Sequence, residues 1–332
     1  MLFSKEKNAK MEEIREFIPV SVSSDFDSFA PHIANAGRDY LIPVIGKAMY
    51  DELVEFYEAT TPDHPTDVQL NTAELLNLVQ SAVIHLACWI GFDLLNAHIS
   101  DAGFKRLESD TIKSMFKYQE DSLKAYFRTN GFNAIDTVLS YLEDNISDFN
   151  EFKLSQEYAA LKASFIPDTD SFNSIIFINR SRLTFMRMTQ HMRLVEDTDI
   201  ATILGPVAYA KVKDEMVKDA PAANVAKLIP YIQKPIAYLA SAMLMEESGA
   251  DLTDNGLYFT ATMPRIGNDT QRQPSSPDRI SALVTRNRNF GNAYLDQLRS
   301  YLVVNASDWP DVTTSTGKLF RRDNLMKKTF WA

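Results

Sequence analysis

Apolar residues recur three and four positions apart along most of this chain, which is the spacing that one face of an α-helix presents. The longest such stretch covers about 72–97 and is apolar on almost every side, as at Val83, Ile84, Leu86 and Ala87. A helix that is apolar all round is normally the buried centre of a bundle. The pattern therefore predicts a mainly α-helical chain. The other predicted helices cover about 25–38, 46–59, 111–129, 134–145, 179–195, 206–218, 224–247 and 279–304.

This order of patterns occurs twice. Residues 75–103 align without a gap to residues 228–256, with seven identities where background frequencies would give roughly two. Residues 141–149 match residues 301–309 at five of nine positions. A third, weaker match pairs Ile45, Gly46 and Tyr50 with Leu204, Gly205 and Tyr209. The three matches keep their order along the chain, so the sequence predicts a tandem duplication of about 155 residues.

The duplication divides the chain into repeats and connecting segments. We expect each repeat to be a bundle of four or five helices with a small β-hairpin. The predicted segments are an N-terminal arm (1–19), a first helical-bundle repeat (20–150), a linker (151–176), a second helical-bundle repeat (177–312) and a C-terminal docking tail (313–332).

A hairpin is predicted after the central helix of each repeat. Asn255-Gly256 followed by alternating apolar and polar residues is a strong hairpin signal, and Ala102-Gly103 is a weaker one. Each hairpin is expected to project from its bundle and to contact a neighbouring subunit by strand addition. The residues predicted to form these contacts are Asp101, Gly103, Phe104, Asp254, Gly256 and Tyr258. Both aspartates are better explained as turn formers than as catalytic groups.

Composition and charge limit the classes of function. A content of 45% hydrophobic and 23% charged residues is ordinary for a soluble globular protein. The net charge of −10 argues against nucleic-acid binding as the main task, because phosphate neutralisation needs clustered Lys and Arg. The chain lacks 18 continuous apolar residues and an N-terminal apolar segment of the signal-peptide type, so we expect no membrane association and a cytoplasmic site of synthesis.

Catalytic motifs are absent from the sequence. The five histidines do not have the spacing of a helical metal site, and neither a nucleophile elbow nor a phosphate loop is present. His85 and the single cysteine, Cys88, are interpreted as core residues. The Asn-x-Ser-Asp-aromatic block that starts at Asn145 and again at Asn305 is interpreted as a helix end. No enzyme, cofactor or metal is therefore predicted, and an active site that spans the two repeats is the least favoured alternative.

The C-terminal tail differs from the rest of this acidic chain. It carries five basic residues against one acid, Asp323, together with aromatic residues. Aromatic anchors and Arg are enriched in interface cores, so the tail is predicted to dock onto a partner. A disordered end remains the alternative. The predicted partner-binding residues are Lys318, Leu319, Phe320, Arg321, Arg322, Leu325, Met326, Phe330 and Trp331.

The order of elements resembles a known family. A first helix precedes Tyr40-Leu-Ile-Pro-Val-Ile-Gly46, and an amphipathic helix with Tyr50, a Pro-rich loop, a long Leu/Ala-rich helix and an Asp-x-Gly turn follow. This order resembles the head–tail connector (adaptor or ring) proteins of tailed bacteriophages, in particular the double-length forms of Bacteroidetes and crAss-like phages. The resemblance covers about 17–149 and 178–309 and depends on apolar patterns rather than signature residues.

The resemblance implies a structural virion protein. Such proteins assemble as a ring, usually twelve-fold, beneath the portal, with genomic DNA passing through the lumen and other tail or ring proteins below. It also implies that the C-terminal tail grips the portal or a neighbouring ring, and that the protein resides at the head–tail junction after assembly in the host cytoplasm. The alternative is a scaffolding or regulatory binding module that docks through its tail.

Overall fold

The computed structural model describes residues 1–21, 24–59, 64–100, 103–106, 115–218, 220–247, 250–253, 256–259, 265–266, 270–271 and 277–312, with only the backbone given for the strands. The described residues are mostly helical, and related helices follow one another in the same order twice. The prediction of a mainly α-helical, duplicated chain is confirmed.

The contacts of the chain divide it into two compact units. The first unit contains Met1–Thr189 and Glu246–Ser281, and the second contains Gln190–Met245 and Ala282–Ala332. The first unit therefore extends well beyond the predicted first repeat of residues 20–150.

Helices of the first repeat pack around one long central helix. The helices α2, α4 and α7 all contact α5. The elements are α1 (Ile14–Phe17), α2 (Phe26–Ala36), α3 (Ile42–Ile45), α4 (Lys47–Glu58), α5 (Asp67–Ile90), α6 (Phe92–Leu95), β1 (Ala97–Ser100), β2 (Gly103–Arg106) and α7 (Lys117–Asp144), followed by α8 (Asn150–Lys153), α9 (Gln156–Lys162) and α10 (Thr169–Ile175).

The second repeat has the same order of long helices. Its helices correspond in turn to α2, to α3 with α4, to α5 and to α7. The elements are α11 (Arg182–Val195), α12 (Ala201–Met216), α13 (Ala223–Glu247), β3 (Ala250–Thr253), β4 (Gly256–Phe259), β5 (Arg265–Ile266), β6 (Thr270–Gln271) and α14 (Pro277–Val304).

The central helix α5 begins five residues earlier than the apolar pattern predicts. Thr66 accepts a hydrogen bond from the backbone N–H of Gln69, and the Gln69 side chain accepts one from the N–H of Thr66. This capping box satisfies two N–H groups at the helix start. The helix is long and apolar enough to span a membrane, but most of its apolar stretch is buried in the first unit. It is thus a core helix here, as the prediction of a buried centre requires.

One long helix, α7, replaces the two helices predicted over 111–129 and 134–145. Asn130-Gly131 was expected to break the helix, but Gly131 is buried within it. A Cβ atom at Gly131 would lie 2.7 Å from Cγ of Leu86 on α5. The glycine therefore serves close helix packing rather than a turn.

The break between two helices is repeated with the same backbone geometry. A single π-helical turn covers Gly37–Leu41 in the first repeat and Glu196–Ile200 in the second. Gly46 (φ 85°) and Gly205 (φ 74°) then follow at the same separation of 159 residues. These φ values are costly for a residue with a Cβ atom, so glycine is needed at both positions.

The Asn-x-Ser-Asp-aromatic block ends a helix in both repeats, as predicted. The Asn145 side chain donates to the Tyr141 carbonyl at 3.0 Å, and Asn305 donates to the Tyr301 carbonyl at 2.8 Å. The aromatic residues that follow, Phe149 and Trp309, are buried. The expectation that Asp148 caps the next helix is wrong, because this carboxylate accepts a hydrogen bond from Asn71 at 2.7 Å instead.

The N-terminal residues predicted as an arm pack into the core of the first unit. Leu2, Phe3, Met11 and Ile14 are all buried. The hydroxyl of Tyr57 on α4 accepts a hydrogen bond from the Ser4 N–H at 2.9 Å and donates one to Glu13 at 2.7 Å. These bonds connect the N-terminal segment to α4.

The segment predicted as a linker, 151–176, folds as part of the first unit. It contains most of α8 and all of α9 and α10. Phe152, Phe165, Ile166 and Phe172 are almost fully buried. Burying each such side chain contributes about 1.5–3 kcal/mol. The segment is therefore a packed covering rather than a flexible connection.

Short antiparallel strand pairs occur where the hairpins are predicted. In the first repeat Ser100 pairs with Gly103, and in the second Thr253 pairs with Gly256. Strands β5 and β6 form a third pair. The residues that would turn between the strands of the first two pairs lie outside the described residues. A hairpin that docks on a neighbour therefore stays a prediction.

Candidate functional site

Most residues predicted to bind partners cannot be placed in a site. Residues 313–332, which hold the nine predicted docking residues of the tail, lie outside the described residues, as do Asp101 and Asp254. The backbone of Gly103 and Phe104 pairs with β1, and that of Gly256 and Tyr258 pairs with β3. The predicted interface residues therefore remain predictions, and the site that the structure builds lies elsewhere.

A cavity of about 390 Å³ lies on the first unit, where residues 161–182 pack over α7. We refer to it as the acidic cavity, because four carboxylates and two guanidinium groups line it. From α7 it is lined by Asn133, Asp136, Thr137, Leu139, Ser140 and Glu143. From the covering segment it is lined by Leu161, Pro167, Asp168, Thr169, Asp170, Arg180 and Arg182.

Local sequence positions these groups. Asp136, Ser140 and Glu143 follow one another at helical spacings of four and three residues, so they share one face of α7. Asp168 caps α10 by accepting hydrogen bonds from the Ser171 N–H and the Ser171 hydroxyl, both at 2.7 Å. The cap fixes the start of α10 at the edge of the acidic cavity.

An ion pair between Asp136 and Arg182 forms one wall of the acidic cavity. Nη1 of Arg182 lies 3.0 Å from Oδ1 of Asp136, and only 9% of the Arg182 side chain is exposed. Burial raises the pKa of Asp136, although Arg182 acts to lower it. Burial lowers the pKa of Arg182, although Asp136 acts to raise it. Because guanidinium stays protonated at neutral pH, removing Asp136 would leave a buried, unpaired charge.

Two further groups in the cavity are unsatisfied. Glu143 is half-buried, and its pKa is raised by burial and by the nearby Asp168. The Nε atom of Arg182 is buried and has no hydrogen-bond partner among the described residues. Asp170, by contrast, pairs with Arg180 at 2.9 Å near the surface. The cavity thus presents an acceptor that favours a cation and a donor that requires an acceptor.

The same helix face is exposed in the second repeat. Asp296 and Ser300 of α14 correspond to Asp136 and Ser140, 160 residues earlier. The Asp296 side chain is 76% exposed and pairs with Arg299 on its own helix. Arg299 in turn corresponds to Leu139, which is buried in the first repeat. No described residue covers this face of α14, so the acidic cavity belongs to the first repeat alone.

A shallow groove of about 610 Å³ lies on the second unit between α13 and α14. The rings of Tyr231 and Tyr301 stack along it, with centroids 4.4 Å apart. Val304 at its end is 83% exposed. This groove is more apolar than the acidic cavity but holds no charged pair with buried atoms.

Metal-ligand clusters were searched for in the same residues. Within the part of the chain that the structure describes, no group of three or more His, Cys, Asp or Glu side chains could hold a metal ion. His85 donates to or accepts from its helix through Nδ1, 2.8 Å from the Ser81 carbonyl oxygen, and Cys88 is buried. Both occupy core positions, as predicted.

The fold defines a protein of two tandem, homologous helical bundles, one of which carries an acidic cavity. The chain belongs to the family of unknown function DUF6712, whose model matches residues 41–161 and again residues 200–319. The two matches begin 159 residues apart, the separation of Gly46 and Gly205. No curated protein and no solved structure matches the chain.

The sequence analysis missed the acidic cavity because the segment that closes it was taken for a linker. Two signals could have found it. Phe165, Ile166 and Phe172 are spaced for burial, and Asp168 stands three residues before Ser171 at the start of a helix. Arg182 gave no signal, because its partner on α7 is 46 residues away.

Proposed function

We propose that this chain is a structural virion protein that forms a head–tail connector (adaptor) ring between the portal and the tail of a bacteriophage. In this proposal it is not an enzyme. It forms a cyclic homo-oligomer, contacts the portal and other tail or ring proteins, and lets genomic DNA pass through the lumen without sequence-specific binding. It acts at the head–tail junction after assembly in the host cytoplasm.

The observation that carries the proposal is a shared core with divergent surfaces. Leu86 and its counterpart Leu239 pack against glycines in the same way in both repeats. The exposed positions differ, as Leu139 and Arg299 do. Two bundles with one interior and two surfaces suit a protein that meets different neighbours on its two sides.

Exposed apolar residues support an interface role. Phe116, Leu154, Phe177 and Val304 are 69%, 82%, 78% and 83% exposed. Large apolar side chains at such exposure are typical of surfaces that a partner covers. The net charge of −10 further favours a lumen that repels DNA rather than retaining it.

The ring is tested by mixing the full-length protein with the portal of the same virus. Native mass measurement and end-on electron micrographs should show a closed ring of many copies bound to the portal. A chain that stays monomeric or dimeric with portal and tail proteins present contradicts the proposal. One copy bound to one partner would instead favour the scaffolding or regulatory module.

The tail is tested separately by deleting residues 317–332. Both units should keep their helical content and melting temperature, because the deleted residues follow the last described core residue, Val312. Co-assembly with the portal should be lost, since the deletion removes the five basic residues and the aromatic anchors. Unchanged co-assembly would contradict a docking role for the tail.

A further inference from the structure

We propose that the acidic cavity of the first unit binds the basic C-terminal segment, residues 317–331, of a second copy of this chain. The choice of a second copy rests on the homo-oligomer of the proposed function. The choice of a basic segment rests on the cavity itself.

Charge complementarity selects a cationic occupant. The cavity is lined by Asp136, Glu143, Asp168 and Asp170 against Arg180 and Arg182, an excess of two negative charges. The tail between 317 and 331 carries five basic residues and one acid. Complementary potentials speed encounter and fix register between surfaces. The tail is the most basic segment of an otherwise acidic chain.

The unpartnered donor selects a peptide over a simple ion. Nε of Arg182 needs an acceptor, while Glu143 favours a cation. A metal cation would satisfy Glu143 but give Arg182 nothing, and a free anion would face the surrounding carboxylates. A basic peptide provides both, because its side chain meets Glu143 and its backbone carbonyl accepts from Arg182. The volume of about 390 Å³ is within the range of small binding sites.

A single occupied site for each chain also explains why the repeats differ here. The equivalent face of α14 is exposed, with Asp296 paired to Arg299 on the same helix. One cavity on the first unit and one tail after the second unit make a head-to-tail contact. Contacts of that kind generate rings when the rotation closes.

The test is disulfide cross-linking between full-length chains. A Ser140→Cys chain, with its thiol at the mouth of the cavity, is mixed with an Asn324→Cys chain under mild oxidation. The matched control is Ser300→Cys, because Ser300 is the counterpart of Ser140 and both are exposed. The buried Cys88 does not compete. We expect about fivefold more cross-linked dimer with Ser140→Cys than with Ser300→Cys, and a loss of this excess at high salt.

A second pair of variants separates binding from folding. Adding Glu143→Gln should reduce the cross-linked yield, whereas Glu151→Gln, an exposed acid outside the cavity, should not. Both variants should melt as the parent does. Equal yields from Ser140→Cys and Ser300→Cys, or from the two glutamate variants, would overturn the proposal. So would a chain carrying both cysteines that closes only on itself. If a ring forms without the cross-link, this inference fails and the proposed function stands.

Discussion

Gly131 of α7 lies directly against Leu86 of α5, and Gly291 of α14 lies in the same way against Leu239 of α13. A Cβ atom at Gly131 would be 2.7 Å from the Leu86 side chain and 3.1 Å from its backbone nitrogen. At Gly291 the corresponding distances to Leu239 are 2.5 and 3.5 Å. Each repeat therefore brings its two longest helices together at a glycine.

Replacing these glycines by alanine tests the close crossing. Gly131→Ala should lower the free energy of unfolding by about 1–2 kcal/mol, because overpacking outweighs the gain of about 1 kcal/mol in helix propensity. Gly291→Ala should cost less, since only the movable Leu239 side chain is close. Urea denaturation of both variants measures this order. If both variants gain stability, the helices do not approach each other as described.

The two equivalent aspartates should respond very differently to Asn substitution. Asp136→Asn leaves Arg182 buried without its charged partner and should cost about 3 kcal/mol. Asp296→Asn removes an exposed pair and should cost less than about 0.5 kcal/mol. Thermal denaturation of the two variants provides the comparison. Equal losses would mean that Asp136 is not covered in solution.

The pair Glu196–Lys213 in the second unit should tolerate the loss of both charges better than the loss of one. Lys213 Nζ lies 2.5 Å from Glu196, which is buried. Lys213→Met leaves an uncompensated buried carboxylate and should cost about 3 kcal/mol at pH 7, and adding Glu196→Gln should recover part of this. Because an uncompensated carboxylate has a raised pKa, the Lys213→Met deficit should shrink as the pH falls toward 4. A deficit independent of pH would contradict this account.

Tyr57 should connect the N-terminal segment to α4 through its protonated hydroxyl. Tyr57→Phe should lose about 1–2 kcal/mol at pH 7, because Ser4 and Glu13 each lose a hydrogen-bond partner. Burial raises the pKa of Tyr57 from 10.0 to about 12, so this contribution is complete below pH 10 and is lost as the pH rises to 12. The stability difference between variant and parent should therefore narrow over that interval. Protease sensitivity near residue 10 is a second measure.

Cys88 should be chemically silent in the folded protein. Burial raises the pKa of its thiol to about 12, so little thiolate is present at pH 8. Alkylation in buffer should be at least about 100-fold slower than in denaturant. Rapid labelling of the native chain would show that α5 is not packed as described.

How far the sequence predicts this molecule depends on the separation of the contacting residues. Capping at Thr66, the left-handed Gly46 and the helix end at Asn145 are local, and the pattern located them or their neighbours correctly. The covering of α7 by residues 161–182 is long-range. Local patterns cannot show that Arg182 meets Asp136.

Internal comparison of the repeats adds information that one copy lacks. Gly131 alone suggested a helix break, because glycine weakens helices by about 1 kcal/mol. Its match with Gly291, 160 residues later, indicates a shared packing role. The tail and the hairpin turns gain nothing from this comparison, since they differ between the copies or lie outside the described residues.

The Glu196–Lys213 pair also bears on how a chain with two similar cores folds correctly. Their counterparts in the first repeat are Gly37 and Val54, which carry no charge. A helix α12 that paired with the first repeat would bury Lys213 beside Gly37 without a carboxylate. A helix α4 that paired with the second would leave Glu196 facing Val54. Each error costs several kcal/mol, so the two repeats sort their own helices during folding although their apolar residues are nearly interchangeable.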